Sequence, residues 1–252
     1  MSNWRIVDTD VNSGLFNMAI DEALLDEYIE NPETPILRFY KWEKPTVSIG
    51  RNQAKEDINR EELNNLEFDL VRRPTGGMAV LHQGEFTYSF ISSKKFNIPE
   101  SVFDAYLEIS NALIKGLKFL AEEISFEIGN QKSSEYADKS FCFATATRAD
   151  LSYMGYKVVG SSQLRRKDAL LQHGSILVNQ DFSLLKKVFV NPDPNVKGMN
   201  LKDIISFTPE YDFIKASIIR GFEEYFKVRF ISDELTEKEL LLANSYIDRY
   251  KP

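Results

Sequence analysis

The chain has 252 residues, 43% of them hydrophobic, and carries 31 basic against 38 acidic side chains for a net charge of −7. That length can bury a full core within one large domain, while the negative balance argues against a general nucleic-acid binder, which needs surplus cation to neutralise phosphates. No apolar run approaches the roughly 20 residues of a membrane span. The start "MSNWRIVDTDVNSG" lacks the basic and apolar regions of a secretory signal, and the single cysteine forms no internal disulfide, so a reducing cytoplasm is expected.

The first strong element is "NSGLFNMAIDEALLDEYIE", a helix with Asn12 or Ser13 as its cap and Leu15, Met18, Leu25, Tyr28 and Ile29 at helical spacing. "NPETP" ends it, and "ILRFYKW" and "TVSIGR" read as strands joined by "EKP". A short helix in "KEDINREELNNL" precedes three strand-like runs, "FDLVRR", "MAVLHQ" and "FTYSFIS". The longest helix signal is "PESVFDAYLEISNALIKGLKFLAEE", whose Val102, Tyr106, Ile109, Leu113, Leu117 and Leu120 form one stripe. "IGNQKSSEYADKS" reads as a polar loop. "DLSYMGYKVVGSSQ" and "LLQHGSILV" read as strands, with "MGY" a hairpin turn and "LRRKDA" an exposed charged loop between them. Helices return in "DFSLLKKVF", "YDFIKASIIRGFEEYFKV" and "TEKELLLANSYIDRY", so residues from about 205 to 252 are expected to be a helical tail of a single domain spanning 1–252. Alternating hairpins and helical blocks indicate an α+β fold, and with no heptad pattern a monomer is expected.

Few stretches carry chemistry. In "VRRPTGGMAVLH", Gly76 and Gly77 allow close backbone approach, and Arg72 and Arg73 offer charge-assisted donors to a phosphate or carboxylate. The same pattern also describes a glycine hairpin with two solvated arginines. The glycine spacing is neither that of a Rossmann loop nor that of a Walker loop. Cys142, taken alone, is either a small buried hydrophobe or a nucleophile, and the second needs a route to thiolate, because a thiol with pKa about 8.5 is only a few per cent ionised at pH 7. An ammonium beside it would favour the thiolate, and Lys157 is the nearby candidate, though its spacing equally suits an outward-pointing strand lysine. His82 and His173 suit acid–base work or a structural role, with no zinc-ligand spacing around them.

Together, "NMAIDEALL", "PTVSIGRNQ", "RRPTGGMAVLH", "GYKVVGSSQ" and "LLQHGSILVN", in that order, resemble the biotin/lipoate protein ligase and transferase superfamily. The resemblance implies a mixed, largely antiparallel β-sheet flanked by helices, with an acyl group held beneath the "RRPTGG" loop and the "GYKVVGSSQ" strand. Within it, "CFATATRADLSYMGYKVVGSSQ" is similar to the cysteine-dependent octanoyltransferases, which carries the acyl-thioester role to Cys142 and the thiol-activating role to Lys157. The motifs likewise carry substrate binding to Arg72, Thr75, Gly76, Gly77, His82, Gly160 and Ser161. Met78 departs from the pattern, standing where the ligases usually have a third glycine.

The implied donor is octanoyl–acyl carrier protein. The implied acceptor is a lipoyl-domain protein, either the glycine cleavage H protein or a 2-oxoacid dehydrogenase E2, with no cofactor or metal required. Arg165, Arg166, Lys186 and Lys187 are candidates for a basic rim that docks acidic carriers. The rival readings are an ATP-dependent lipoate–protein ligase, an octanoyl amidotransferase acting between lipoyl domains, and a non-catalytic carrier-binding module.

Overall fold

The computed structural model describes residues 2–122, 124–129, 150–192 and 198–252. Cys142 and most of the polar stretch read as a loop therefore lie outside the described residues.

Eleven strands and seven α-helices are found among the described residues. In chain order they begin with β1 (Asn3–Asn12), α1 (Gly14–Glu30), β2 (Ile36–Trp42), β3 (Thr46–Ile49), α2 (Arg60–Asn65), β4 (Asp69–Arg72), β5 (Val80–His82), β6 (Glu85–Ser93) and α3 (Val102–Leu117). They continue with β7 (Glu127–Ile128), β8 (Leu151–Tyr153), β9 (Tyr156–Arg166), β10 (Ala169–Leu177), α4 (Leu185–Val188), α5 (Leu201–Ile205), α6 (Tyr211–Phe226), β11 (Arg229–Asp233) and α7 (Glu237–Tyr246). The main sheet has the order β11-β1-β2-β6-β10-β9-β8-β7, and a smaller one has the order β4-β3-β5. Pairing is parallel at β1–β11, β1–β2 and β3–β4 and antiparallel elsewhere, the mixed and largely antiparallel arrangement expected.

Helices cover both faces of the main sheet. On one, α3 and α6 close over Phe86, Tyr88 and Phe90 of β6, with Leu113, Ile218 and Phe222 fully buried against them. These two helices cross at Gly116 and Gly221, where a Cβ on Gly221 would lie 2.2 Å from the Gly116 nitrogen, so only glycine permits that approach. On the other face, α1 packs with α7 over Tyr40, Ile91 and Leu171. The Ser13 hydroxyl accepts from the Phe16 amide and starts α1, and a capping box between Thr236 and Glu239 starts α7. The small sheet has its own core of Val47, Ile49, Leu81, Leu185 and Phe189.

Two expectations change, and one strand was not expected at all. "LRRKDA" is mostly strand rather than loop: β9 runs to Arg166 and only Lys167 and Asp168 turn, with Lys167 at φ 53°. The arginines extend the strand because both find acceptors within the chain. Arg165 donates to the carbonyls of Pro99 and Ser101, and Arg166 to the carboxylates of Asp26 and Glu22. The C-terminal stretch is not wholly helical, since β11 returns to pair with β1. And β1, hidden in sequence by its many polar residues, is an inner strand whose Trp4, Ile6 and Val7 are buried. The "MGY" turn holds: Met154 and Gly155 both have positive φ, as a two-residue hairpin demands.

Candidate active site

A cleft of about 390 Å³, including its open mouth, lies between the small sheet, the start of α1 and the centre of β9 and β10. Met18, Tyr40, Trp42 and Val80 supply apolar wall, and Ser48, Arg73, His82, Thr87, Ser161, Ser162, His173 and Ser175 supply polar groups. A compact, mainly apolar hollow with a few converging polar groups is the ordinary form of a small-ligand site.

The roof is the loop between β4 and β5, residues 73–79. Arg73 builds it from beneath: its Nη2 donates to the carbonyls of Gly76 (2.6 Å) and Met78 (2.8 Å), its Nη1 to that of Ser48, and its Nε to the Thr75 hydroxyl. Ser162 of β9 donates to the Gly76 carbonyl from the other side at 2.9 Å. Arg72, expected in the pocket, points elsewhere, its Nη1 donating to the carbonyls of Gly50, Arg51 and Gln53. Its role is to brace the neighbouring loop, and Arg73 takes the place under the roof.

Glycine is required at one of two positions here and dispensable at the other. A Cβ on Gly50 would stand 1.8 Å from the Gly77 carbonyl oxygen, a backbone atom that cannot swing aside, whereas nothing lies within 4 Å of one on Gly76. Gly50→Ala is therefore expected to cost about 1–3 kcal/mol as the two loops are forced apart. Gly76→Ala should leave the thermal midpoint near wild type. Equal midpoints for the two variants in a melting experiment would contradict this contact.

Thr75 is only 1% exposed, and its Oγ1 lies 2.6 Å from His173 Nε2. His173 Nδ1 in turn lies 2.9 Å from Asp21 Oδ2. Asp21 is saturated: Arg38 Nη1 donates to it at 2.6 Å, Ser89 at 2.7 Å and Tyr40 at 3.2 Å. Burial pushes the Asp21 carboxyl up, but Arg38, His173 and Ser89 outweigh it and hold it below the usual carboxylate range. Hydroxyl, imidazole and carboxylate are thus in the order of a nucleophile triad. Thr75 is nevertheless poorly placed to be a nucleophile, being buried and already accepting from Arg73.

His82 stacks on Trp42 at 3.9 Å between ring centres. Its Nε2 meets the Ser48 hydroxyl at 2.8 Å, and its Nδ1 lies 3.3 Å from Glu85. Burial pulls its pKa below the ordinary imidazole range against the raising effect of Glu85. On β9, Ser161 shares a hydrogen bond with Tyr88 at 2.8 Å, and Gln172 donates to the same phenol at 3.0 Å. Burial pushes the Tyr88 hydroxyl up to about 12, so it stays protonated. Tyr88 reaches Ser161 across Gly174, where a Cβ would meet the Ser161 oxygen at 2.6 Å.

Lys157 is fully buried in β9, three residues before Gly160, and its Nζ pairs with Asp150 Oδ2 at 2.9 Å. It is not among the residues lining the cleft. The structure therefore brings Thr75, His82, Gly160 and Ser161 to the cleft or its roof, sets Lys157 further along β9, and turns Arg72 away. Arg165 and Arg166 are engaged as described above, while Lys186 and Lys187 are exposed on α4. Sequence reasoning missed Asp21, Arg38, Asp150 and Tyr88. The available signal for Asp21 was its place three residues after Met18 on the buried side of α1. The described residues hold no group of three or more His, Cys, Asp or Glu able to bind a metal ion, and no helix long and apolar enough to cross a membrane.

The sequence and fold match known proteins. "Octanoyltransferase LipM" of Carboxydothermus hydrogenoformans is 40% identical over 98% of this chain and 95% of its own. The crystal structure of lipoate-protein ligase A bound with ATP superposes with a TM-score of 0.86 at 25% identity, covering 99% of this chain and 95% of that one. A bi-partite lipoate protein ligase from Thermoplasma acidophilum, studied with its E2 lipoyl domain, gives 0.82 at 25% identity over 99% and 93%. Residues 13–223, from the cap of α1 through the cleft into α6, fit the family model "Lipoyl protein ligase A/B catalytic domain", and the chain belongs to that family.

Proposed function

We propose that the protein is an octanoyltransferase of protein lipoylation. It would move the acyl group from octanoyl–acyl carrier protein to the lysine of a lipoyl-domain protein, glycine cleavage H protein or an E2, through a thioester on Cys142. The observation that carries this reading is the ammonium of Lys157, withdrawn from solvent into a sheet strand whose next residues line the cleft. A lysine buried at the cost of desolvation needs a reason to be there. Activation of a thiol in the segment that precedes β8 supplies one. The LipM relatives, similar over nearly the whole chain, support the same chemistry.

In the first step the Cys142 thiolate attacks the octanoyl thioester carbonyl. The carbon–sulfur bond to the carrier breaks, and the carrier sulfur leaves as a thiol with the proton that the Cys142 thiol gave up on forming its thiolate. In the second, the acceptor amine attacks octanoyl-S-Cys142, forming an amide and returning the thiol. Thioester exchange is close to neutral and amide formation is downhill, so no ATP is needed. The apolar wall of Met18, Trp42 and Val80 would take the acyl chain, with the Gly76–Gly77 backbone near its carbonyl.

Intact-mass analysis after mixing with octanoyl–acyl carrier protein, without ATP, tests this. An octanoyl adduct is expected on the wild type and none on Cys142→Ser. Active protein that never carries an adduct, or that exchanges pyrophosphate with ATP and tolerates Cys142→Ser, would sink the transferase in favour of a ligase. An adduct formed only from an octanoylated lipoyl domain would assign the amidotransferase reaction.

A further inference from the structure

The Thr75–His173–Asp21 chain has no part in the two chemical steps, yet it joins the roof of the cleft to the most buried ion pair of the core. We propose that Asp21 and His173 are positioning residues, which act through Thr75 to clamp the Gly76–Gly77 backbone over the bound acyl carbonyl. The inference rests on the acyl-binding part of the proposed function and not on the nucleophile.

Proton accounting gives the chain a direction. Asp21 already accepts from Arg38, Ser89 and Tyr40, so His173 Nδ1 carries the proton that faces it. In the tautomer that carries its proton on Nδ1, Nε2 is an acceptor, and Thr75 donates across the 2.6 Å contact. Thr75 in turn accepts from Arg73 Nε, and Arg73 holds the Gly76 and Met78 carbonyls. Each group from Arg38 to Gly76 is bonded to the next, so the roof takes its position from α1 and β2. Fully satisfied buried networks of this kind fix a single geometry. Arg38 is itself anchored, with Nη2 on Asn17 at 2.7 Å and on Thr9 at 2.9 Å. A loop whose own contacts are mostly backbone carbonyls thereby acquires the rigidity that an acyl-carbonyl site requires.

The test measures binding and chemistry separately. The probe for binding is an unreactive octanoyl-amide analogue of the pantetheine thioester; the probe for chemistry is adduct formation from octanoyl–acyl carrier protein. Thr75→Val should weaken analogue binding roughly tenfold, the effect of one buried hydrogen bond, and raise the half-saturating donor concentration similarly. The maximal adduct rate should stay within about twofold, and Thr75→Ser should return binding toward wild type.

His173→Phe, which keeps an aromatic ring and removes both nitrogens, should show the same pattern, and the double variant should be no worse than either single one. Multiplying effects, unchanged binding in Thr75→Val, or equal damage by valine and serine would each overturn the clamp. So would a collapsed maximal rate at unchanged half-saturation. If the wild type forms no adduct while Thr75→Val still weakens analogue binding, the transferase reading fails and the clamp stands. Should the adduct form while binding is indifferent to Thr75, the clamp fails alone.

Discussion

Lys157→Ala is expected to lower folding stability by about 3–5 kcal/mol, the cost of leaving one member of a buried ion pair behind, and to abolish the octanoyl adduct. Lys157 and Asp150 are both essentially inaccessible and 2.9 Å apart, so water cannot replace the lost ammonium cheaply. The two effects separate in the double variant Lys157→Ala with Asp150→Ala. Removing both charges should recover most of the stability, because the uncompensated carboxylate is what costs, while adduct formation should stay lost. Urea unfolding and intact mass read the two quantities independently. A single variant that loses under about 1 kcal/mol would show that Asp150 is held mainly by other partners. A double variant that regains the adduct would remove Lys157 from the mechanism.

The second large effect is at Arg38, the fully buried cation at the base of the clamp. Arg38→Met should cost about 3–5 kcal/mol near neutral pH, for the same physical reason, and the loss should depend on pH. The Asp21 carboxyl is depressed in the folded protein. Its contribution to stability is therefore complete above the unfolded pKa of about 3.9 and is lost as pH falls through the folded value. In the variant, burial acts on Asp21 without its main opposing charge, so the carboxyl takes up a proton at higher pH. The deficit against wild type should then begin to shrink as the pH falls through the variant's raised Asp21 pKa, above the ordinary value of about 3.9, and go on shrinking until the wild-type carboxyl is protonated as well. The other titratable groups in contact with Asp21 are His173 and Tyr40. A deficit that stays constant between neutral and acid pH in chemical unfolding would contradict this assignment.

Much of the fold was legible because its elements carry strong periodicity. The α3 and α6 stripes, the long apolar run of α1 and the β6, β9 and β10 runs all emerge where pattern and turn chemistry agree, as at Met154–Gly155. What the pattern hid shares one cause, polar groups satisfied inside the chain. In β1, Arg5 and five further polar residues mask a strand that is inner to the sheet. Arg165 and Arg166 look like loop residues until Pro99, Ser101, Glu22 and Asp26 are seen to receive them. The site divides in the same way. Glycines and motif residues such as Thr75 and His82 announce themselves by local chemistry. Asp21, Arg38 and Asp150 owe their importance to partners 17, 17 and 7 residues away in the chain, a relation no local window displays.

The pairing of β1 with β11 sets an order on the birth of the molecule. Residues 3–7 leave the ribosome before their outer partners, residues 229–233, which arrive 226 residues later, a delay of about 10–45 s at ordinary synthesis rates. Through that interval the growing sheet presents an open edge to every other nascent chain nearby. Arg5, which ends up between Asp233 and Glu239, sits on that edge as a bare cation until both acids appear. The residue that finally locks the C-terminal helix in place is thus also a charge on an edge not yet covered, the kind of feature that counts against strand-to-strand pairing with other chains.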